Sequence, residues 1–152
     1  MVQFASGETF EGPWTDDGSI GDDVVAFRRL PHDWISGDRD LPGTRRVNSA
    51  AFQPHPDSQA ISVTLSDVAD GLGIDPAAMC LGEYAGEYGL ATVLVRDARA
   101  QGLAIRRVPL SVDPGHAMFF ITDDSGQRDE RSCRKAGKKL ARAAHLVLDL
   151  PH

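Results

Sequence analysis

Apolar residues in this chain fall into short runs divided by Gly, Pro, Asp and Ser, and the spacing within each run predicts an element. Val24–Leu30, VVAFRRL, has β-branched and aromatic residues over a strand length, and Pro31 ends it. Ile61, Val63 and Leu65 alternate with Ser62 and Thr64, the period of a half-buried strand. Ser66 stands where it can cap a short helix, DVADGLG, closed by Gly71 or Gly73. Asp75 followed by Pro76 opens a further helix over about Asp75–Tyr84. Glu83 and Glu87, like Tyr84 and Tyr88, stand four apart in the doubled Gly-Glu-Tyr of GEYAGEYG, so each pair shares a face if that stretch is helical.

Leu90, Val93, Leu94 and Ala98 recur at helical spacing and predict a helix over Leu90–Gln101, with Gly102 as its left-handed cap. Ala104–Leu110 reads as a strand, placed at a sheet edge because Pro109 lacks the amide donor of a central position. Pro114 and Gly115 then mark a turn, and Ala117–Thr122, apolar on both faces, predicts an interior strand. A last helix is expected over Ser132–His145, capped by Ser132, with Cys133, Ala136, Leu140, Ala144 and Val147 on its apolar face. LVLDL after it is either the helix end or a short strand.

These elements add up to an α+β fold: one domain with a mixed or mainly antiparallel sheet of about four strands and helices packed on one face. Residues 1–23 read as an irregular acidic arm and 24–152 as the domain. The connection 31–59 is too rich in Pro, Gly, Asp and Asn for a long element, and a loop of that length inside a compact domain points to function.

Charge alters the picture in one place. The formal net charge is −6, which argues against a chain that coats nucleic acid over its whole surface. Between Arg128 and Arg142, however, seven Lys or Arg stand against Asp129 and Glu130, a local +5 that leaves −11 for the rest. Cys80 and Cys133 lie far apart without metal or redox spacing, as expected of buried thiols in a reducing compartment. No apolar run reaches the roughly 20 residues of a membrane helix, and MVQFASGETFEGPW lacks the pattern of a secretory signal, so a cytoplasmic location is expected.

Three constellations are candidates for function. Ala69, Gly73 and Met79 have the spacing of a helix-turn-helix, but PAAMCLGEY offers no Arg, Lys, Asn or Gln to read bases, and Asp67, Asp70 and Asp75 repel phosphate. Sequence-specific DNA reading is therefore not expected. The second is the basic face formed by Arg131, Arg134, Lys135, Lys138, Lys139 and Arg142, a surface for RNA, DNA, anionic lipid or an acidic partner, or a solvated helix side. The acidic arm is a further candidate to pair with it. The third is a polar set: His116, His32, Ser49 and Glu83 as catalytic candidates, with Arg45, Arg46 and Trp34 to hold a substrate. No GxSxG elbow is present, and the five histidines lack metal-ligand spacing, so neither a metal nor another cofactor is expected.

The order along the chain is Arg28-Arg29 at a strand end, then Arg45-Arg46 and Ser49, then the Ile61–Leu65 strand, then acids. In residue type and order this is similar to small ADP-ribosyltransferase-like folds, an analogy that implies an early Arg or His, a central Ser or Tyr and a later Glu. Two functions follow as expectations. One is a binding or regulatory module that meets a protein partner or a second copy through the basic helix and the long loop. The other is an enzyme that clamps an anionic or nucleotide substrate with Arg45 or Arg46 and uses His116, His32 or a Glu as acid or base.

Overall fold

A computed structural model describes residues 2–3, 9–10, 14–38 and 40–149. Much of the acidic arm, together with Arg39 and His152, lies outside them. Two short strands, β1 (Val2–Gln3) and β2 (Thr9–Phe10), form an antiparallel pair. The domain then runs β3 (Val25–Leu30), β4 (Ile35–Gly37), β5 (Arg45–Val47), β6 (Ile61–Leu65), α1 (Ser66–Leu72) and α2 (Pro76–Leu81). It continues with β7 (Gly89–Leu94), α3 (Val95–Ala100), β8 (Ala104–Arg107), β9 (His116–Phe120), α4 (Glu130–Ala143) and β10 (His145–Leu148). Six strands make one antiparallel sheet in the order β10-β7-β3-β6-β9-β8, and β4 pairs with β5 as a separate hairpin. The architecture is α+β, as expected, with two more strands in the sheet than the four anticipated.

The two additional strands are β7 and β10. Gly89–Leu94 is extended and not helical, because it lies between β3 and β10 and is largely buried on both sides. A strand apolar on both faces satisfies helical spacing by coincidence, and Thr92 and Val93 then favour the extended form. Only the following Val95–Ala100 is helical. Gly89 is required here: a Cβ at this position would stand 2.6 Å from the Leu148 carbonyl oxygen of β10. Val147, expected on the apolar face of the last helix, belongs instead to β10 and is exposed.

Side-chain alternation separates the sheet faces. One carries Ala26, Val63, Leu65, Val93, Ile105, Ala117 and Phe119, which pack with Ala98 of α3 and Cys133, Ala136 and Leu140 of α4 as the main core. Burial of each large apolar side chain there contributes roughly 1.5–3 kcal/mol. Packing under α4 is tight, since a Cβ on Gly137 would fall 1.8 Å from the Phe52 carbonyl oxygen. Helices also occupy the second face, contrary to the one-sided arrangement expected. There Cys80 and Leu81 of α2 bury with Leu90, Phe27 and Tyr88, while Val108, Met118 and Phe120 gather with Ala60 and Trp14.

Several caps differ from expectation. Asp75 caps α2 through the Ala77 amide, as its position predicts. Ser66, by contrast, is the first residue of α1, and its Oγ accepts from Val25 N–H. α4 begins two residues early because Asp129, not Ser132, is its cap, accepting from Ser132 N–H at 3.0 Å and Ser132 Oγ–H at 2.7 Å. The α1–α2 turn has helix-turn-helix proportions, with Ala69 buried and Gly73 left-handed, yet Met79, Cys80 and Leu81 of α2 are buried. That second helix is spent on packing. Asp67 is also engaged, gripped by both guanidinium nitrogens of Arg107, which hold its carboxyl below the usual carboxylate range.

The described part of the acidic arm covers the edge of β8. Asp16 Oδ1 accepts from Ile105 N–H, and Asp17 N–H donates to the Ile105 carbonyl, so the arm satisfies the outward backbone groups of Ile105 on the edge strand. Arg99 of α3 binds Asp16 and Asp22. These arm acids pair with α3, not with the basic face of α4.

Candidate functional site

The second sheet face is open between its two small apolar clusters, and this opening is a cleft of about 1440 Å³. Ordinary small-molecule sites occupy roughly 300–1,000 Å³, so this is an open trough. Its floor comes from three neighbouring strands: Phe27 and Arg29 of β3, Ser62 and Thr64 of β6, and His116 and Met118 of β9. Register places Phe27 opposite Thr64, Thr64 opposite His116, and Ser62 opposite Met118. Met79–Tyr84 with Tyr88, the turns around His55–Ser58 and Leu110–Asp113, and Pro31, Trp34 and Arg128 complete the lining.

Arg28 occupies a break in the sheet beside this trough. β3 and β6 are paired only at Ala26↔Leu65 and Phe27↔Thr64. Beyond Phe27 the strands part, and the Arg28 guanidinium fills the gap, donating to the carbonyls of Ser62 at 2.7 Å, Ala51 at 2.5 Å and Gln53 at 3.5 Å. Trp34 and Phe52 lie against it, 5.0 and 5.8 Å from ring centroid to guanidinium carbon. Burial lowers the Arg28 pKa to about 10, which still leaves a full positive charge at neutral pH. No carboxylate of the described residues is in ion-pair contact with it.

Arg29 projects on the opposite side of β3, stacked over Tyr84 at 4.6 Å and Tyr88 at 5.7 Å. The two tyrosines meet edge to face, although the backbone between them is a 3-10 turn followed by a loop and not the helix that would have put them on one face. Arg128 stacks 4.4 Å over Trp14, and its Nη1 is a buried donor with no acceptor among the described residues. Elsewhere Arg45, Arg99, Arg107 and Arg134 each pair with a carboxylate. The three cleft arginines do not.

An acid–base group lies on the floor. Asp113, on the turn before β9, accepts from Thr64 Oγ–H at 2.5 Å and from Gly115 N–H at 3.1 Å. Burial raises its carboxyl above the ordinary aspartate value, and the Thr64 hydrogen bond, followed by His116 and Arg29, only partly offsets that. His116 is 7% exposed, and its Nδ1 lies 2.8 Å from the Val108 carbonyl, which fixes Nδ1–H as the donor and gives Nε2 the lone pair in the neutral ring. Burial pushes the Cys80 thiol up to about 11, so it is protonated and unsuited to attack as a thiolate. Cys133 lies in the core with its thiol raised to about 12. Both cysteines are free.

Of the sequence-predicted residues, His116, Glu83 and Trp34 line this cleft. His32, Ser49, Arg45 and Arg46 do not. Arg45 is tied to Asp149 at 3.1 Å, Arg46 is exposed on the β4–β5 hairpin, and His32 and Ser49 are exposed outside the lining. The arginine–serine–glutamate order of the ADP-ribosyltransferase analogy therefore does not converge on one site. No protein-family model, curated protein or solved structure matches the chain. Among the described residues no cluster of His, Cys, Asp and Glu is able to hold a metal ion, and no helix is long and apolar enough to cross a membrane.

Sequence reasoning names Arg28 and Arg29 only within the ADP-ribosyltransferase analogy, and it misses Arg128 and Asp113 as candidate site residues. For the first two a signal was present: adjacent arginines in an otherwise apolar strand place one cation on each sheet face. Asp113 gave none, because Asp before Pro-Gly is what any turn would carry.

Proposed function

We propose that this protein is a binding domain for a phosphate- or carboxylate-bearing small molecule seated in the cleft. The observation that carries the proposal is a contrast among the arginines: those lining the cleft make no ion pair with a carboxylate among the described residues, whereas the half-buried Arg45, Arg99 and Arg107 outside it are each ion-paired. Guanidinium stacked on aromatic rings, as in Arg29 and Arg128, is a preorganised anion receptor, since its fork matches phosphate and carboxylate geometry. Calorimetry with inorganic phosphate, pyrophosphate, nucleoside monophosphates, sugar phosphates and dicarboxylates tests it. At least one anion is expected to bind, with affinity reduced tenfold or more by Arg29→Ala, about 1.4 kcal/mol. Silence across the panel, or binding unaffected by both Arg29→Ala and Arg128→Ala, would end the proposal.

Asp113 favours a second reading, in which the same cleft transforms the ligand. A carboxyl raised by burial and an imidazole of defined tautomer share the floor, the pairing from which enzymes draw a proton donor and acceptor. Incubating each anion that binds and recovering it by mass spectrometry decides the matter. A ligand returned unchanged identifies a receptor, and turnover lost in Asp113→Asn identifies an enzyme.

A further inference from the structure

The outer face of α4 belongs to the other side of the sheet and to a different chemistry. Arg131, Lys135, Lys138, Lys139 and Arg142 are all exposed. At about 100° per residue they fall within an arc of roughly 100°, one stripe about 17 Å long. Arg134 beside them is paired with Glu130 at 2.6 Å, but none of the five takes part in an ion pair among the described residues. We infer that this stripe binds the phosphate backbone of a double-stranded nucleic acid without reading its sequence.

The chemistry of the face selects that partner. Docking on a folded acidic protein needs an apolar or aromatic anchor at the centre of the interface. The only apolar residue exposed on α4 is Ala143, because Cys133, Ala136, Leu140 and Ala141 are all turned into the core. Insertion into a membrane surface fails for the same reason: an interfacial helix must present the apolar side that this one has buried. A polyphosphate chain requires charge alone. One strand of a duplex carries a phosphate about every 3.4 Å, so 17 Å of stripe faces about five phosphates with five cations. With its five cations matched to five phosphates and no Asn, Gln or aromatic residue on α4, the face leaves no group over to read base edges. The acids behind the −6 net charge lie mostly elsewhere, and at physiological ionic strength screening over about 8 Å confines their repulsion.

Fluorescence anisotropy with labelled duplex DNA and duplex RNA of two unrelated sequences tests the inference. Binding is expected for both sequences equally, with log K against log salt falling at a slope of about −4 to −5 for duplex DNA, 0.9 per neutralised phosphate. The DNA and RNA arms distinguish which backbone is preferred. The combined variant Lys135→Glu, Lys138→Glu, Lys139→Glu should weaken binding more than tenfold at an unchanged melting temperature, and Lys→Arg at the same positions should keep it. Arg29→Ala, which disables the cleft, should leave duplex binding intact. Absence of duplex binding at 50 mM salt would overturn the inference, as would binding indifferent to the Glu variant. A preference for poly-glutamate or phosphatidylserine vesicles over the duplexes would assign the stripe to a different partner and overturn it equally.

Discussion

Gly137 shows how much a single missing methyl can decide. It lies in the middle of α4, where glycine costs helix stability relative to alanine, yet the Phe52 carbonyl occupies the space a Cβ would need. Gly137→Ala, which improves helix propensity, is therefore expected to destabilise the domain by about 3 kcal/mol through overpacking, measured by urea unfolding. A neutral or stabilising result would mean that the 48–54 loop yields easily. Asp113 makes a prediction of the opposite kind, about ionisation and not volume. Its carboxyl is raised in the folded state above the 3.8 of the unfolded chain. Between those values the folded form keeps a proton that the unfolded form has lost, so this group's contribution falls as pH rises. Asp113→Asn removes the term. The stability of the natural protein relative to the variant should be greatest below pH 3.8 and decline as pH climbs through the raised value, then level off towards pH 7. A flat difference would show that Asp113 ionises normally.

At the level of elements, legibility depended on whether one face met solvent. α4 was readable because its charged and apolar sides differ so sharply, and β6 because Ser62 and Thr64 face the open trough while Ile61, Val63 and Leu65 face the core. β9 was readable by the opposite signal, an apolar run closed off by turns. β7 was misread because burial on both sides erases the alternation that tells a strand from a helix. The cleft was harder still. Its floor is assembled from positions 27, 29, 62, 64, 113, 116 and 118, which are brought together only by the register of β3, β6 and β9. No window of local sequence contains that register. The basic stripe, being local to one helix, was visible at once.

Across the whole molecule, the two charged features are kept apart by the sheet. One face carries the trough with Arg29 and the other carries α4, whose cations point away from the core. Asp16 and Asp22 of the arm meanwhile pair with Arg99. A small anion in the trough and a long polyanion on α4 do not compete for the same groups. Occupancy of one site is accordingly expected to leave affinity at the other unchanged within about twofold, a measurement made by repeating the duplex titration in the presence of a saturating cleft ligand. A larger coupling would require a conformational link through the sheet.

The break between β3 and β6 has its own consequence for how the domain breathes. Only two register pairs join β10-β7-β3 to β6-β9-β8, and that seam is finished at one end by Ser66 Oγ on Val25 N–H and at the other by the Arg28 guanidinium on Ser62. The sheet is thus two three-stranded leaves on a narrow spine, clasped on one side by α4. Native-state hydrogen exchange should resolve them as two cooperative units, with amides of Leu90–Val93 sharing one opening free energy and those of Ala117–Phe119 another. A single common value would mean that the spine is stronger than its two pairs. If the leaves do open separately, the trough lies along the line where they part.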